Sequence, residues 1–93
     1  MRNYEIATII DVNEQVINST KEKIKEYVKS LGGTVLKEDE TGVKNLPYEM
    51  KKKEKGFYYY INIEIDPSKI VELEKEFRLN ESILKYMTLV LSN

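Results

Sequence analysis

Tyr4-Glu5-Ile6-Ala7-Thr8-Ile9-Ile10 is a short run rich in β-branched side chains, the pattern of a first strand, and Asp11-Val12-Asn13 ends it. From Glu14 to Leu31 the period changes. Ile17, Ile24, Tyr27, Val28 and Leu31 recur at helical spacing, while Lys21, Glu22, Lys25, Glu26 and Lys29 fall largely elsewhere on the wheel, which predicts an amphipathic helix. The helix has two candidate starts, a Ser19–Glu22 capping box or Asn13 as N-cap, and one stop, Gly32-Gly33.

A second extended run covers Thr34 to Lys53, with a bulge or bend expected at the interruption Glu38-Asp39-Glu40-Thr41-Gly42. Leu46, Tyr48 and Met50 alternate after it. Pro47 between them cannot donate a ladder hydrogen bond, so this part belongs at a sheet edge or in a bulge. Lys51 to Gly56 reads as a polar turn, and Phe57 to Ile65 is the clearest strand. Its one face is Phe57, Tyr59, Ile61, Ile63 and Ile65; its other is Tyr58, Tyr60, Asn62 and Glu64. Asp66-Pro67-Ser68 starts a second helix with Ile70, Leu73 and Phe77 along one side, Asn80 stops it, and Ile83 to Leu91 forms the last strand. The order βαββαβ is the split βαβ, ferredoxin-like arrangement: an α+β fold in which two helices cover one face of a four-stranded antiparallel sheet. Residues 1–93 carry no repeat, linker or low-complexity tract, so a single domain is expected.

Composition narrows the chemistry. The chain has no cysteine and no histidine, which excludes disulfides, thiol nucleophiles, structural zinc and any mechanism that needs an imidazole. Glu38-Asp39-Glu40 is contiguous, which suits a solvated bend better than converging metal ligands. A phosphate-cradling enzyme of this fold, such as an acylphosphatase, needs a glycine-rich loop and an arginine, and the Ile10 to Asn13 connection offers neither. The expectation is therefore no catalytic residue, no metal, no cofactor and no small-molecule substrate. With neither a run of ~18 apolar residues nor a signal-peptide core, the chain reads as soluble, cytoplasmic and without a membrane partner.

Two features remain to be assigned. The sheet face away from the helices would display Tyr58, Tyr60, Asn62 and Glu64, with Tyr48 or Tyr86 added according to register. Seven tyrosines and no tryptophan suit either a surface that waits for a partner or simple cross-strand bracing. The second feature is charge. Fifteen basic and sixteen acidic residues leave a net charge of −1, which argues against coating nucleic acid by bulk electrostatics. The lysines nevertheless gather at Lys51, Lys52, Lys53 and Lys55, with Lys44, Lys85 and Arg2 on the strands, and phosphate contact depends on the patch rather than the total. Lys55-Gly56-Phe57 begins like the third-strand signature of the RNA recognition motif, but Tyr58 stands where a small residue is needed and Asn62 where a stacking ring is needed.

The ordered set of motifs resembles a family, ribosomal protein six of the bacterial small subunit. Met1-Arg2-Asn3-Tyr4-Glu5 resembles its opening, and Gly32-Gly33-Thr34-Val35 the end of its first helix. Thr41-Gly42-Val43-Lys44-Asn45-Leu46-Pro47-Tyr48-Glu49-Met50 resembles its aromatic-Gly-x-basic-basic-Leu-Ala-Tyr-x-Ile stretch. Lys53, Gly56 and Tyr58 keep the spacing of its hairpin, and Ser82 to Tyr86 resembles the approach to its last strand. The chain departs at Thr41, Asn45, Pro47 and Val90, where tryptophan, a basic residue, alanine and a basic residue are usual. The resemblance implies a structural protein in the ribosome that binds the central domain of small-subunit ribosomal RNA, in the platform, paired with ribosomal protein eighteen. It implies RNA contacts at Arg2, Lys44 and Lys85, with Lys53 a further candidate, and a protein-docking surface of Leu46, Tyr48, Met50, Tyr58 and Tyr60. The alternatives are a stand-alone single-stranded RNA binder of recognition-motif type and a small-molecule-binding or enzymatic ferredoxin-like domain.

Overall fold

A computed structural model of the chain describes residues 1–92. The elements are β1 (Arg2–Ile10), α1 (Glu14–Ser30), β2 (Thr34–Met50), β3 (Lys53–Ile65), a 3₁₀ turn (Pro67–Lys69), α2 (Ile70–Leu79) and β4 (Ile83–Ser92). The strands form one sheet in the order β2-β3-β1-β4 with every neighbouring pair antiparallel, the ferredoxin-like topology that the hydrophobic pattern predicts.

The early start of α1 is the one adopted. Asn13 is extended, its side chain accepts from the Gln15 N–H at 3.1 Å, and Glu14 sits in the first turn where the helix dipole favours an anion. At the other end Gly33 N–H donates to Val28 O and Gly32 N–H to Lys29 O, a Schellman closure that needs the left-handed φ of 81° at Gly32. Asp66 caps the 3₁₀ turn through the Ser68 N–H, with Pro67 in first position where its missing donor is harmless.

Period-two alternation then divides the sheet. β1 sends Tyr4, Ile6, Thr8 and Ile10, and β3 sends Phe57, Tyr59, Ile61, Ile63 and Ile65, to the helix side, where Ile24 and Val28 of α1 and Leu73 and Phe77 of α2 close the core. Thr8 is buried among them with its hydroxyl donating to the Tyr59 carbonyl at 2.9 Å, so no donor is stranded.

Three local expectations are corrected. The Lys51–Gly56 turn is only Lys51-Lys52, because β3 begins at Lys53 and Met50 pairs with Lys53 across a two-residue loop. Both loop residues have positive φ, 47° and 63°, as the right-handed twist of a tight hairpin demands. Lysine carries a steric penalty there that glycine does not, so Lys52→Gly is expected to raise the unfolding free energy by about 1 kcal/mol, read as a higher urea midpoint at unchanged slope. Second, Tyr86 points to the helices, not the open face: it pairs with Thr8 and its ring packs on Phe77 at 5.6 Å. Third, the acidic run is the expected bulge and not a bend, and its side chains, though exposed, are paired. β2 continues through it with bulges at Leu36 and Thr41, and Glu38 and Glu40 face α1.

There Lys21 binds Glu40 at 2.7 Å and Lys25 binds Glu38 at 3.3 Å, while the Tyr59 hydroxyl donates to Glu38 at 2.6 Å. That hydroxyl, and then Lys25, hold the Glu38 carboxyl below its ordinary pKa, and burial followed by Glu38 pushes the Tyr59 phenol up, out of any physiological range. Because the folded carboxyl titrates lower than the unfolded one, its contribution to stability is present above the unfolded value of about 4.3 and is lost as pH falls through the folded one. Tyr59→Phe is therefore expected to cost about 1 kcal/mol at neutral pH, a gap that denaturant titrations should show narrowing as pH is taken below about 4.

Candidate functional site

Only one face of the sheet carries helices, so the residues of opposite parity are displayed: Glu5, Ala7 and Ile9 of β1, Tyr58, Tyr60 and Asn62 of β3, and Lys85, Met87 and Leu89 of β4. On the β2 side Lys37, Asp39 and Lys44 join them. The face is divided by chemistry. Glu5, Lys37, Asp39 and Asn62 line a polar hollow at one end, and Ala7, Ile9, Met87 and Pro47 line an apolar cavity of about 180 Å³ at the other. Tyr60 borders both, and Tyr58 borders the second.

The apolar cavity exists because β2 leaves the ladder. Between the pairs Asn45–Lys55 and Met50–Lys53, the residues Leu46 to Glu49 stand opposite Glu54 alone. Pro47, with no N–H to give, sits in the middle of this wide bulge, as the edge-or-bulge expectation requires, and β2 is indeed an edge strand. The surplus chain arches over the end of the sheet. Leu46 lies on Gly56, whose missing side chain leaves room for it, and Met50 is buried at 8% exposure. Tyr48, still 58% exposed, reaches β4, where Lys85 Nζ donates to its hydroxyl at 2.9 Å. Lys51 Nζ makes a longer contact, 3.4 Å, with the Ile83 carbonyl.

The arch thus gathers most of the predicted residues. Met50, Tyr58 and Tyr60 line one cavity together with Pro47, while Leu46 and Tyr48 flank Pro47 on the arch, and Met50 contributes from beneath rather than as exposed surface. Lys44, whose ammonium lies 5.6 Å from the Tyr58 ring centroid, and Lys85 stand on its rim. Lys53 is close by at the hairpin, although its charge is partly met by Asp11 at 3.4 Å. Arg2 is not brought in. It pairs with Ile65 at the far end of β1 whereas Lys85 pairs with Ile9, and at about 3.3 Å per residue their backbones are roughly 23 Å apart. Met87 and Leu89 are functional-face residues that the sequence reading misses, although the alternation Lys85, Met87, Leu89 is the signal that places them on one face.

Among the described residues no group of three or more acidic side chains is gathered as a metal site, and no helix is long and apolar enough to cross a membrane. An α+β sheet with one bare face, a tyrosine-bordered cavity and lysines on its rim defines a small structural protein that is held by its surfaces. Residues 3–89 match the family Ribosomal protein S6, and the chain belongs to it. Small ribosomal subunit protein bS6 of Treponema denticola is 38% identical over 87 residues, 94% of each chain. The protein of the same name from Sulfurimonas denitrificans is 35% identical over 96% of this chain, which spans 66% of that longer relative. The crystal structure of 30S ribosomal protein S6 from Thermotoga maritima superposes with a TM-score of 0.88 over 97% of this chain and 87% of that one, at 28% identity. Membership makes the chain a non-enzymatic structural constituent of the small ribosomal subunit, located in the ribosome.

Proposed function

We propose that the chain binds the central domain of small-subunit ribosomal RNA jointly with ribosomal protein eighteen, acting as a single domain. The observation that carries this reading is the adjacency of two unlike surfaces, an apolar, tyrosine-bordered cavity and a lysine rim, on one bare sheet face. The cavity lined by Met50, Tyr58 and Tyr60, with Leu46 and Tyr48 on the adjoining arch, receives the protein partner, since tyrosine tolerates water until an apolar group arrives. Lys44, Lys53 and Lys85 meet phosphates beside it, and Arg2 makes a separate contact at the other end of β1. A chain of net charge −1 can bind RNA when a basic partner supplies much of the counter-charge, which fits joint binding.

The test is a binding titration of a central-domain RNA fragment with the chain alone, the partner alone and both. Tight, salt-sensitive binding only with both proteins is the expected result. Equal binding with and without this chain would overturn the proposal, and tight binding of short oligonucleotides by the chain alone would move the reading to a stand-alone RNA binder.

A further inference from the structure

The arch carries Tyr48 from the β2 edge of the sheet to Lys85 at the β4 edge. With Nζ 2.9 Å from the hydroxyl oxygen and 5.5 Å from the ring centroid, the ammonium lies beyond the oxygen and outward from the ring. The contact is a hydrogen bond along the ring's own axis, not a cation seated over a π face. An ammonium has three hydrogens, so this bond leaves two for other acceptors. Lys85 also has no carboxylate partner among the described residues, unlike Lys53, which is paired with Asp11.

The mount on the other side of this bond is firm. Leu46 rests on Gly56, Met50 is buried, and the Lys51 ammonium reaches the Ile83 carbonyl, so Tyr48 stands on a segment fastened before and after it. A lysine that is free in water must give up rotamer freedom when it meets a phosphate. One tied at its tip has already done so.

We infer that Tyr48 is a positioning residue for RNA binding: its hydroxyl holds the Lys85 ammonium oriented, with two hydrogens free, at the rim of the open face. The inference rests on the reading that Lys85 meets RNA phosphate. It also gives Tyr48 a second task beside the docking surface, and makes the arch the joint between the protein-binding and RNA-binding parts of the face.

Tyr48→Phe removes the hydroxyl and keeps the ring. Titrations of the central-domain RNA fragment with ribosomal protein eighteen present are expected to show affinity about two- to fivefold weaker, with the salt slope unchanged because Lys85 still reaches its phosphate. Lys85→Met, which keeps an aliphatic stem against the cavity, is expected to weaken binding and to reduce the slope by about one. The deciding measurement is the double variant. If Tyr48 acts through Lys85, Tyr48→Phe has no further effect in the Lys85→Met background. An equal loss in both backgrounds, or no loss in either, overturns the inference while leaving the function intact. Failure of the unaltered chain to bind the fragment with its partner would instead remove the function, and this inference with it.

Discussion

Gly56→Ala is expected to lower the unfolding free energy by about 1–3 kcal/mol and to weaken partner docking at the same time. A Cβ at this position would lie 2.3 Å from Ile9 Cγ2 and 3.1 Å from Leu46 Cδ2. Ile9 is the neighbour that cannot yield cheaply. Ile9 is β-branched and fixed in the central strand β1, so its methyl cannot swing away without leaving its rotamer. Leu46 on the arch need give by only a few tenths of an ångström, but Ile9 itself lines the cavity, so its displacement reaches the docking face. The two effects separate experimentally. Denaturant unfolding reads the first, and titration with ribosomal protein eighteen at a temperature where the variant remains folded reads the second. A loss of stability with docking intact would show that Ile9 does not shape the docking surface.

Reversing charge at the rim is expected to have the largest effect on RNA. On the proposed reading, Lys44→Glu with Lys85→Glu removes two phosphate contacts and puts two like charges in their place. The slope of log K against log salt should fall by about two, and affinity at physiological salt should drop on the order of a hundredfold, measured with the partner protein present. An unchanged slope would take both residues out of the interface. Thermal unfolding should move little. Lys44 sits near the Tyr58 ring and Lys85 bonds the Tyr48 hydroxyl, and each of these surface interactions is worth well under the stability of a domain.

Local pattern carries the element order, because each element's signal is contained in its own window. Asn13, Gly32-Gly33, Asp66-Pro67 and Asn80 act within a few residues of where they stand, and the structure uses all of them as boundaries. The misreadings share a cause, which is that they depend on groups distant in the chain. Glu38 and Glu40 look unpaired until α1 supplies Lys21 and Lys25, and β3 supplies the Tyr59 hydroxyl. Tyr86 takes its direction from a register that slips between Ile9 and Ile10, a property of the strand pair and not of either strand. The hairpin turn hides for a different reason. Lys51-Lys52 contains none of the glycine or asparagine that marks a left-handed loop, so six polar residues read as turn where two suffice.

The site is legible in the same uneven way. Tyr58, Tyr60 and the lysines follow from parity and clustering, and Pro47 points to an edge or bulge. Nothing local reveals that the bulge crosses the end of the sheet and brings Tyr48 to Lys85, or that Arg2 stands apart from the other cations. In the sequence Gly56 stands out as part of a stretch that begins like the third-strand signature of the RNA recognition motif. Its physical role here is the room it leaves for Leu46.

The strand order has a consequence for how the molecule is made. β1 precedes the other three strands along the chain, yet both of its neighbours, β3 and β4, follow β2. Until Ile83–Ser92 has emerged, β1 has an unpaired side, and the hydrophobic face it shares with β3 lacks its last wall at Ile83. Loop closure over such separations makes folding slower than for a helical bundle of equal length and exposes sticky strand edges on nascent chains. A ribosome therefore delivers this component of its own small subunit as a segment that can complete its sheet only after β4 has emerged.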